Sequence, residues 1–567
     1  MSTADVAARG SDASSLVRGA TTPPLLETTI GDRFDEIVRR HPDRPALVSR
    51  AQGRRWNYRE LGVAVDDFAR GLASLGLRKG DRIGIWSPNN AEWVITQFAT
   101  AKLGLILVTI NPAYRTHEVE YALRKVGCSA LITATSFKSS DYVGMLRKLA
   151  PEIATGTPGR LKLEKLPDLH TVIRIGGFPE PGLIAFDEVS KIGAGAPAPS
   201  VDLDPDDAIN IQFTSGTTGS PKGATLTHRN ILNNAHLFGL ALGFTPADKL
   251  CIPVPFYHCF GMVMSSLMCV TQGATMVISG ESFDPLTVLE TVQAERCTAL
   301  HGVPTMFIAV LQHQDFTRYD LSSLRTGAMA GAPCPVEVMR RVIDEMGMSE
   351  ITIAYGMTET SPISFQSDRA DPIERRVSTV GTIHPHLEVK IVDVNGHVVP
   401  RGVPGELCTR GYSVMKGYWE DPSKTAEVLD PEGWMHTGDI GTIDNEGYCN
   451  ITGRIKDMVI RGGENIFPRE IEEFLYRHPH VQDVQVFGVP DPKFGEELCA
   501  WIRLKDGQAS DEDAIRAFCR DAIAHYKIPR YIRFVDSFPM TVSGKAQKFV
   551  MREAMVQELS LAEIRTA

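Results

Sequence analysis

The feature that most narrows the fold is an alternation of short β-branched runs with amphipathic stretches. Ile83-Gly84-Ile85-Trp86, Ile106-Leu107-Val108-Thr109-Ile110 and Ala130-Leu131-Ile132 each read as a buried strand, and residues 91–102 and 118–125 between them carry apolar positions at helical spacing. Strand, helix and strand in this order specify a parallel sheet with crossover helices on its faces. The alternation resumes after a Pro/Gly-rich interval at 178–205, with strands predicted at 209–213, 275–279, 298–300 and 351–353 and helices at 228–242, 285–295 and 305–312. A chain of 567 residues is too long for one core, and two such series predict two packed sheets.

Beyond Arg376 the pattern changes to short strands and tight turns, with Asn395-Gly396 and Asn445-Glu446-Gly447 as hairpin signals. A third regime opens at the charged run Arg454-Ile455-Lys456-Asp457 and reads as a short α+β unit. The expected architecture is therefore α/β. A large N-terminal domain (1–455) of two packed βα sheets plus a β-rich subdomain precedes a small mobile α+β C-terminal domain (456–567), with a hinge between them. The first 25 residues have no apolar core of a secretory signal and read as a loose tail.

Residues 250–280 contain no Asp, Glu, Lys or Arg, which on charge alone resembles a membrane span. Pro253, Pro255 and His258 break the first part and Thr271-Gln272-Gly273 the second, so the segment reads as a buried strand, a loop and a buried helix, with no transmembrane segment. With 59 Lys+Arg against 69 Asp+Glu the formal charge is −10, which argues against a nucleic-acid-coating protein and leaves room for a local basic pocket. The ten cysteines, from Cys128 to Cys519, contain no C-x-x-C pair; this argues against a disulfide framework or a Cys-rich zinc site and fits a reducing, cytoplasmic location.

After the strand ending at Phe213 comes Thr214-Ser215-Gly216-Thr217-Thr218-Gly219-Ser220-Pro221-Lys222-Gly223. Hydroxyls, glycines and a lysine in a strand-to-helix turn offer donors and charge to phosphate oxygens. The spacing is not that of a Walker A loop, because Ser220-Pro221 separate Gly219 from Lys222 and no Ser or Thr follows the lysine.

This loop resembles the phosphate loop of the adenylate-forming (AMP-binding) superfamily. The remaining signatures of that family occur in order: Tyr355-Gly356-Met357-Thr358-Glu359-Thr360, Trp434-Met435-His436-Thr437-Gly438-Asp439, Gly453-Arg454-Ile455-Lys456-Asp457 and Ser543-Gly544-Lys545. The resemblance implies a carboxylate attacking the α-phosphate of ATP, with expulsion of pyrophosphate, followed by acyl transfer to a thiol. It implies that Thr214, Ser215, Gly216, Thr217, Thr218, Gly219 and Lys222 hold the β- and γ-phosphates, and that Thr358 touches the α-phosphate. Glu359 would ligate Mg²⁺, Tyr355 and Gly356 with Gly331-Ala332-Pro333 would enclose adenine, and Asp439 would accept from the ribose hydroxyls beside Arg454. Lys545 would bridge carboxylate and α-phosphate as the catalytic cation. Lys456 falls at the family's hinge, Arg461, Gly462 and Gly463 at its CoA tunnel, and His258 at the aromatic gate between acyl pocket and tunnel.

The runs Val254-Pro255-Phe256-Tyr257-His258-Cys259-Phe260-Gly261 and Lys456-Asp457-Met458-Val459-Ile460-Arg461-Gly462-Gly463-Glu464-Asn465-Ile466-Phe467-Pro468 look most like medium-chain fatty acyl-CoA synthetases. The acyl pocket would lie beside His258, Gly261, Met262, Gly327, Ala328 and Met329, small or flexible apolar residues that suit an alkyl chain. The same motifs also fit an aryl or arylpropenoate CoA ligase, an acyl-AMP ligase loading a carrier protein, a luciferase, and a nucleotide sensor without catalysis. The partners expected are small molecules (a carboxylic acid, ATP and CoA) and no nucleic acid; a homodimer remains open.

Overall fold

In the computed structural model, which describes residues 14–177, 180–214, 221–462, 464–520, 522–541 and 544–561, the first sheet has eight strands. Their spatial order is Ile184–Ala185, Thr171–Ile175, Cys128–Ala134, Arg82–Trp86, Ile106–Ile110, Ala208–Thr214, Lys222–Thr227 and Gly417–Tyr418. The run from Ile184–Ala185 to Ala208–Thr214 is parallel, and Lys222–Thr227 is antiparallel to both neighbours. The second sheet has nine strands: Thr382–Ile383, Ile363–Gln366, Glu350–Gly356, Thr326–Ala330, Ala299–Gly302, Lys249–Ile252, Thr275–Ile278, Pro45–Ser49 and Arg54–Asn57.

Strand alternation explains how the two sheets share one interior. Ile83, Ile85 and Leu107 of the first sheet and Leu250, Ile252 and Met276 of the second belong to one core, filled by Phe68, Trp93, Phe98 and Phe238 from helices between them. The intervening positions face outward: Ile106, Val108 and Leu131 pack beneath Val119 and Leu146, and Cys251, Val277 and Leu300 beneath Val288 and Met339. Helix Ala91–Leu103 is buried around nearly its whole circumference. It starts at Asn90, whose side chain accepts from the Trp93 amide, and stops at Gly104 in the left-handed region (φ 66°).

The charge-free segment 250–280 is interior: strand Lys249–Ile252, a loop, then a helix that passes from Cys259–Gly261 through a π-helical stretch, Met262–Leu267, into Met268–Gln272. Among the described residues no helix is long and apolar enough to cross a membrane.

The β-rich segment forms an antiparallel sheet, Val17–Arg18, Leu387–Val392, Gly405–Gly411, Met435–Ile443 and Cys449–Arg454. Its first strand corrects the expectation of a loose tail over residues 1–25. Val17 pairs with Val389, and the fully buried Ser15 donates its hydroxyl to the Ile391 carbonyl, so from Ser14 on the chain edges a sheet; residues 1–13 lie outside the described ones. From Val459 onward the chain builds a fourth sheet (Glu464–Ile466, Val459–Arg461, Gly495–Leu504, Val481–Asp491, with Tyr531–Phe534 on Gly495–Leu504) around its own core of Val459, Leu475, Val484, Leu498 and Ile515.

Candidate active site

Asp439 is the best-anchored group of the site. It lies on strand Met435–Ile443 directly opposite Arg454, whose Nε is 2.8 Å from Asp439 Oδ1, while the Tyr355 hydroxyl donates to Oδ2 at 2.6 Å. The carboxylate is 3% exposed, and the turn before it is pinned by Thr437 Oγ1 donating to the Leu407 carbonyl (2.7 Å) and by the Gly438 amide donating to Glu406 Oε1 (3.1 Å). Burial and then the Asp439 charge push the Tyr355 hydroxyl well above its usual pKa, so it remains a donor. Burial opposes the charge on Arg454, but Asp439, Tyr355 and Asp457 together outweigh it and hold the guanidinium above its ordinary value.

A second carboxylate, Glu359, sits in the 3-10 turn Thr358–Thr360 and is 5% exposed. The Tyr418 hydroxyl donates to its Oε1 at 2.8 Å, and Lys222 Nζ lies 4.6 Å from the centroid of that same tyrosine ring. One tyrosine therefore joins the end of the Gly-rich loop to the acid of a different sheet. Tyr418 was not identified from the sequence, since an isolated Gly-Tyr carries no spacing signal.

The Gly-rich loop connects two antiparallel strands, with Thr214 opposite Lys222, which corrects the strand-to-helix turn expected from the sequence. The apolar alternation of 222–227 is too short to separate a strand from the start of the following helix. Ser215, Gly216, Thr217, Thr218 and Gly219 lie outside the described residues. The rim of the loop is fastened by the Tyr121 hydroxyl, which donates to the Pro221 carbonyl at 3.0 Å, and by the Trp419 amide, which donates to that of Gly223 at 2.8 Å.

Lys545 reaches this cluster from the fourth-sheet region. Its turn is closed by the Thr541 amide donating to the Lys545 carbonyl (2.8 Å) and by the Lys545 amide donating to Thr541 Oγ1 (3.0 Å). Gly544 has φ 79°; a Cβ there would stand 2.7 Å from Val303 Cγ2, and the Gly544 carbonyl accepts from Thr305 Oγ1 at 3.1 Å. The lysine side chain runs along Gly331 (φ 85°), where a Cβ would lie 3.8 Å from Lys545 Cε. Burial first and Arg454 second lower the ammonium to a pKa of about 8, while Asp439, Cys259 and Glu359 pull the other way. The fold thus brings Lys545 within electrostatic range of Asp439, Arg454, Glu359 and His258.

His258 caps the short helix Cys259–Gly261 by accepting from the Phe260 amide at 3.2 Å, and burial, then Lys545, drives its pKa to about 3, so the ring is neutral. Cys259 donates to Gln212 Oε1 at 2.9 Å, and burial raises its thiol to about 12, which removes it as a nucleophile. Gly261 has a packing reason of its own, because a Cβ there would lie 2.2 Å from the Pro255 carbonyl oxygen. Gly356 likewise abuts the Pro362 carbonyl, with a Cβ distance of 1.7 Å.

The six acyl-pocket positions do not all meet. Ala328 shares a core with Phe260 and Met262, but strand alternation turns its neighbour Met329 into the opposite core with Leu300 and Met339. Gly327, at φ 151°, has its missing side chain against Leu300 O (1.9 Å) on that far face. Arg461 is paired with the buried Glu497, with Nε and Nη2 each 2.7 Å from Oε1, and its guanidinium carbon lies 4.3 Å from the centroid of the Phe494 ring. Gly462 (φ 60°) donates its amide to the Phe494 carbonyl at 2.8 Å; Gly463 lies outside the described residues. Lys456 is exposed in the 3-10 turn Ile455–Asp457.

Comparison with known proteins agrees with this geometry. The AMP-binding enzyme family matches residues 34–419, and the AMP-binding enzyme C-terminal domain matches 470–545. YngI of Bacillus subtilis (strain 168) is 49% identical over 544 residues, covering 95% of this chain and 99% of that protein. The mitochondrial medium-chain acyl-CoA ligase ACSF2 of Danio rerio is 47% identical over 555 residues, covering 96% and 91%. The crystal structure of the anthranilate CoA ligase AuaEII in complex with anthranoyl-AMP superposes with a TM-score of 0.85 at 28% identity, covering 94% of this chain and 99% of the other. The ladder that holds Asp439, the turn that presents Lys545 and these likenesses together place the chain in the AMP-binding enzyme family, as an AMP-forming ligase.

Proposed function

We propose that the chain is a medium-chain fatty acyl-CoA synthetase. A carboxylate oxygen of the acid attacks the α-phosphorus of ATP and pyrophosphate leaves; the CoA thiolate then attacks the acyl carbon and AMP leaves. The observation that carries the reading is that Lys545 reaches the site where the buried carboxylates Asp439 and Glu359 stand with Arg454, close enough for their charges to act on its ammonium. A cation at that point offsets the negative charge that builds when two anions react.

Asp439 offers carboxylate oxygens to the ribose hydroxyls, oriented in advance by Tyr355 and Arg454. Thr214 and Lys222 at the two ends of the loop, with Ser215, Gly216, Thr217, Thr218 and Gly219 between them, take the β- and γ-phosphates, and Thr358 takes the α-phosphate. Tyr355 and Gly356 flank adenine on one side and Gly331, Ala332 and Pro333 on the other. Mg²⁺ fits Glu359, a hard oxygen donor with one oxygen held by Tyr418 and the other outside that bond, and would neutralise phosphate charge when bound.

The division at 455/456, with Lys456 as hinge, is supported by the separate core that begins at Val459. A turn of the C-terminal domain would withdraw Lys545 and bring the segment of Arg461, Gly462 and Gly463 toward the pantetheine arm, with neutral His258 as the gate. Of the acyl-pocket residues, Met262 and Ala328 belong to one core and the buried Gly261 precedes Met262, so these three would form one wall of the pocket. The ten buried free thiols support a reducing compartment, the cytoplasm.

The test is pyrophosphate release and thioester formation with ATP, Mg²⁺ and CoA over short- to long-chain alkanoic, aryl and amino acids. A maximum at medium chain length is expected. A preference for aryl acids would move the enzyme to the aryl-CoA ligases, and thioester on a phosphopantetheinyl carrier instead of CoA would make it a carrier-loading ligase.

A further inference from the structure

Not every buried imidazole is used by this chemistry. His301 lies on strand Ala299–Gly302, in register with Ala328, and is 0% exposed. Phe238, Phe260 and Phe244 surround it, with ring centroids at 5.5, 5.7 and 6.5 Å. Its Nδ1 is 3.1 Å from Ser265 Oγ, and its Nε2 has no hydrogen-bond partner. Ser265 belongs to the π-helical stretch Met262–Leu267, a backbone form that recurs at functional sites, immediately behind the His258 segment.

Proton accounting fixes the tautomer. The Ser265 hydroxyl is 2.8 Å from the Phe260 carbonyl, which can only accept, so the single hydroxyl proton is committed there. The Ser265 oxygen then accepts from His301, and Nδ1 carries the ring proton. Burial drives the pKa to about 3, so the ring is neutral and Nε2 is a bare lone pair. Leaving a buried acceptor unpaired in such surroundings costs free energy, and native interiors rarely do so without a reason. His228 and His384 each leave one ring nitrogen unpaired as well, but only His301 of the three stands in register with Ala328 and is bonded to the stretch Met262–Leu267.

We infer that His301 determines substrate specificity: its Nε2 accepts a hydrogen bond from a hydroxyl carried on the tail of the acid, so the enzyme favours hydroxylated fatty acids over plain ones of equal length. The inference rests on the proposed acyl wall of Gly261, Met262 and Ala328. Phenyl rings around one neutral acceptor suit an alkyl chain with a single donor. A second carboxylate on the tail would bring only acceptors and a charge, and an ammonium would need more than one neutral partner to replace its water.

The experiment compares kcat/KM for alkanoic acids, their terminal and penultimate hydroxy counterparts and the dicarboxylic acids, across medium chain lengths, in the wild type, His301→Phe and His301→Gln. At the chain length that reaches Nε2 the hydroxy acid should exceed the plain acid by roughly tenfold, the worth of one hydrogen bond to a buried acceptor. His301→Phe should abolish that preference while keeping activity on the plain acid, and His301→Gln, which retains an acceptor, should keep part of it. A wild type with no hydroxyl preference at any chain length overturns the inference, as does a preference that survives in His301→Phe. If His301→Phe does not fold, the wild-type series decides by itself. Activation of plain acids without hydroxyl preference defeats this inference alone, whereas activation of neither series defeats the fatty-acid reading with it.

Discussion

Asp439 and Lys545 meet at one site but are held there by unlike means. Asp439 is part of a five-stranded antiparallel sheet, paired across the ladder with Arg454 and bonded to Tyr355 from the nine-stranded sheet. Lys545 sits at the tip of a turn from a region with its own core, and that turn meets the body at Thr305, Val303 and Gly331. Acceptors already bonded to two partners need no reorganisation to receive a ribose, which is what a step common to both half-reactions requires. A cation needed in only one half-reaction gains from a tether that releases. On the roles proposed for the two residues, the difference teaches that recognition would be built into strands and the catalytic charge would be delivered.

The largest effect should come from Lys545→Ala. Removing a preorganised cation from the forming bond should lower adenylation by at least about 10²–10³-fold, read as acid-dependent pyrophosphate release. Transfer from synthetic acyl-adenylate to CoA should persist. Equal loss of both half-reactions would break the contrast, since Lys545 would then belong to the fixed part of the site.

Asp439→Asn tests the other member. The loss of one charge-assisted acceptor, roughly 1.5–3 kcal/mol, should lower kcat/KM for ATP by about 10–100-fold, and it should slow both half-reactions because the nucleotide stays bound through both. If KM for ATP stayed unchanged, the ribose assignment would fall.

Much of this division could be read from the chain. The β-branched runs at 83–86 and 106–110 are buried on both faces, and their hydrophobicity survives any register. Asp439 and Lys545 sit in motifs whose residue types state their chemistry. What the sequence hid depended on which face a side chain takes or on contacts remote in the chain. Gly327, Ala328 and Met329 are adjacent and apolar, yet period-two alternation divides them between two cores. Val17-Arg18 is too short to announce a strand and is one only because Val389 and Glu388 stand beside it. Tyr418 and Glu359 are 59 positions apart, and no local signal couples them.

The pH dependence sharpens the contrast next. Docked Lys545 has its pKa lowered from 10.5 to about 8 by burial and Arg454. The charged form is therefore penalised in the docked pose, and above about pH 8 docking itself becomes easier while the turn no longer delivers a cation. Adenylation kcat/KM should fall about tenfold per pH unit above that point, and transfer from preformed adenylate should show no matching fall. Bound phosphates restore the ammonium, so the descending limb belongs to kcat/KM more than to kcat. A limb of equal size in both half-reactions would assign it to a group other than the delivered lysine.

The smallest effect isolates the tether. Thr305→Val keeps the shape of the side chain and removes the hydroxyl that donates to the Gly544 carbonyl at 3.1 Å. The contact contributes about 1 kcal/mol if it is an ordinary hydrogen bond, so docking should weaken and adenylation fall by about fivefold, with no change in thioester transfer and little in melting temperature. Such a split cannot arise from damage to the nucleotide site, which serves both steps. If Thr305→Val slowed neither step, Val303 and Gly331 alone would suffice to seat the turn, and the selectivity of delivery would rest on shape rather than on this bond.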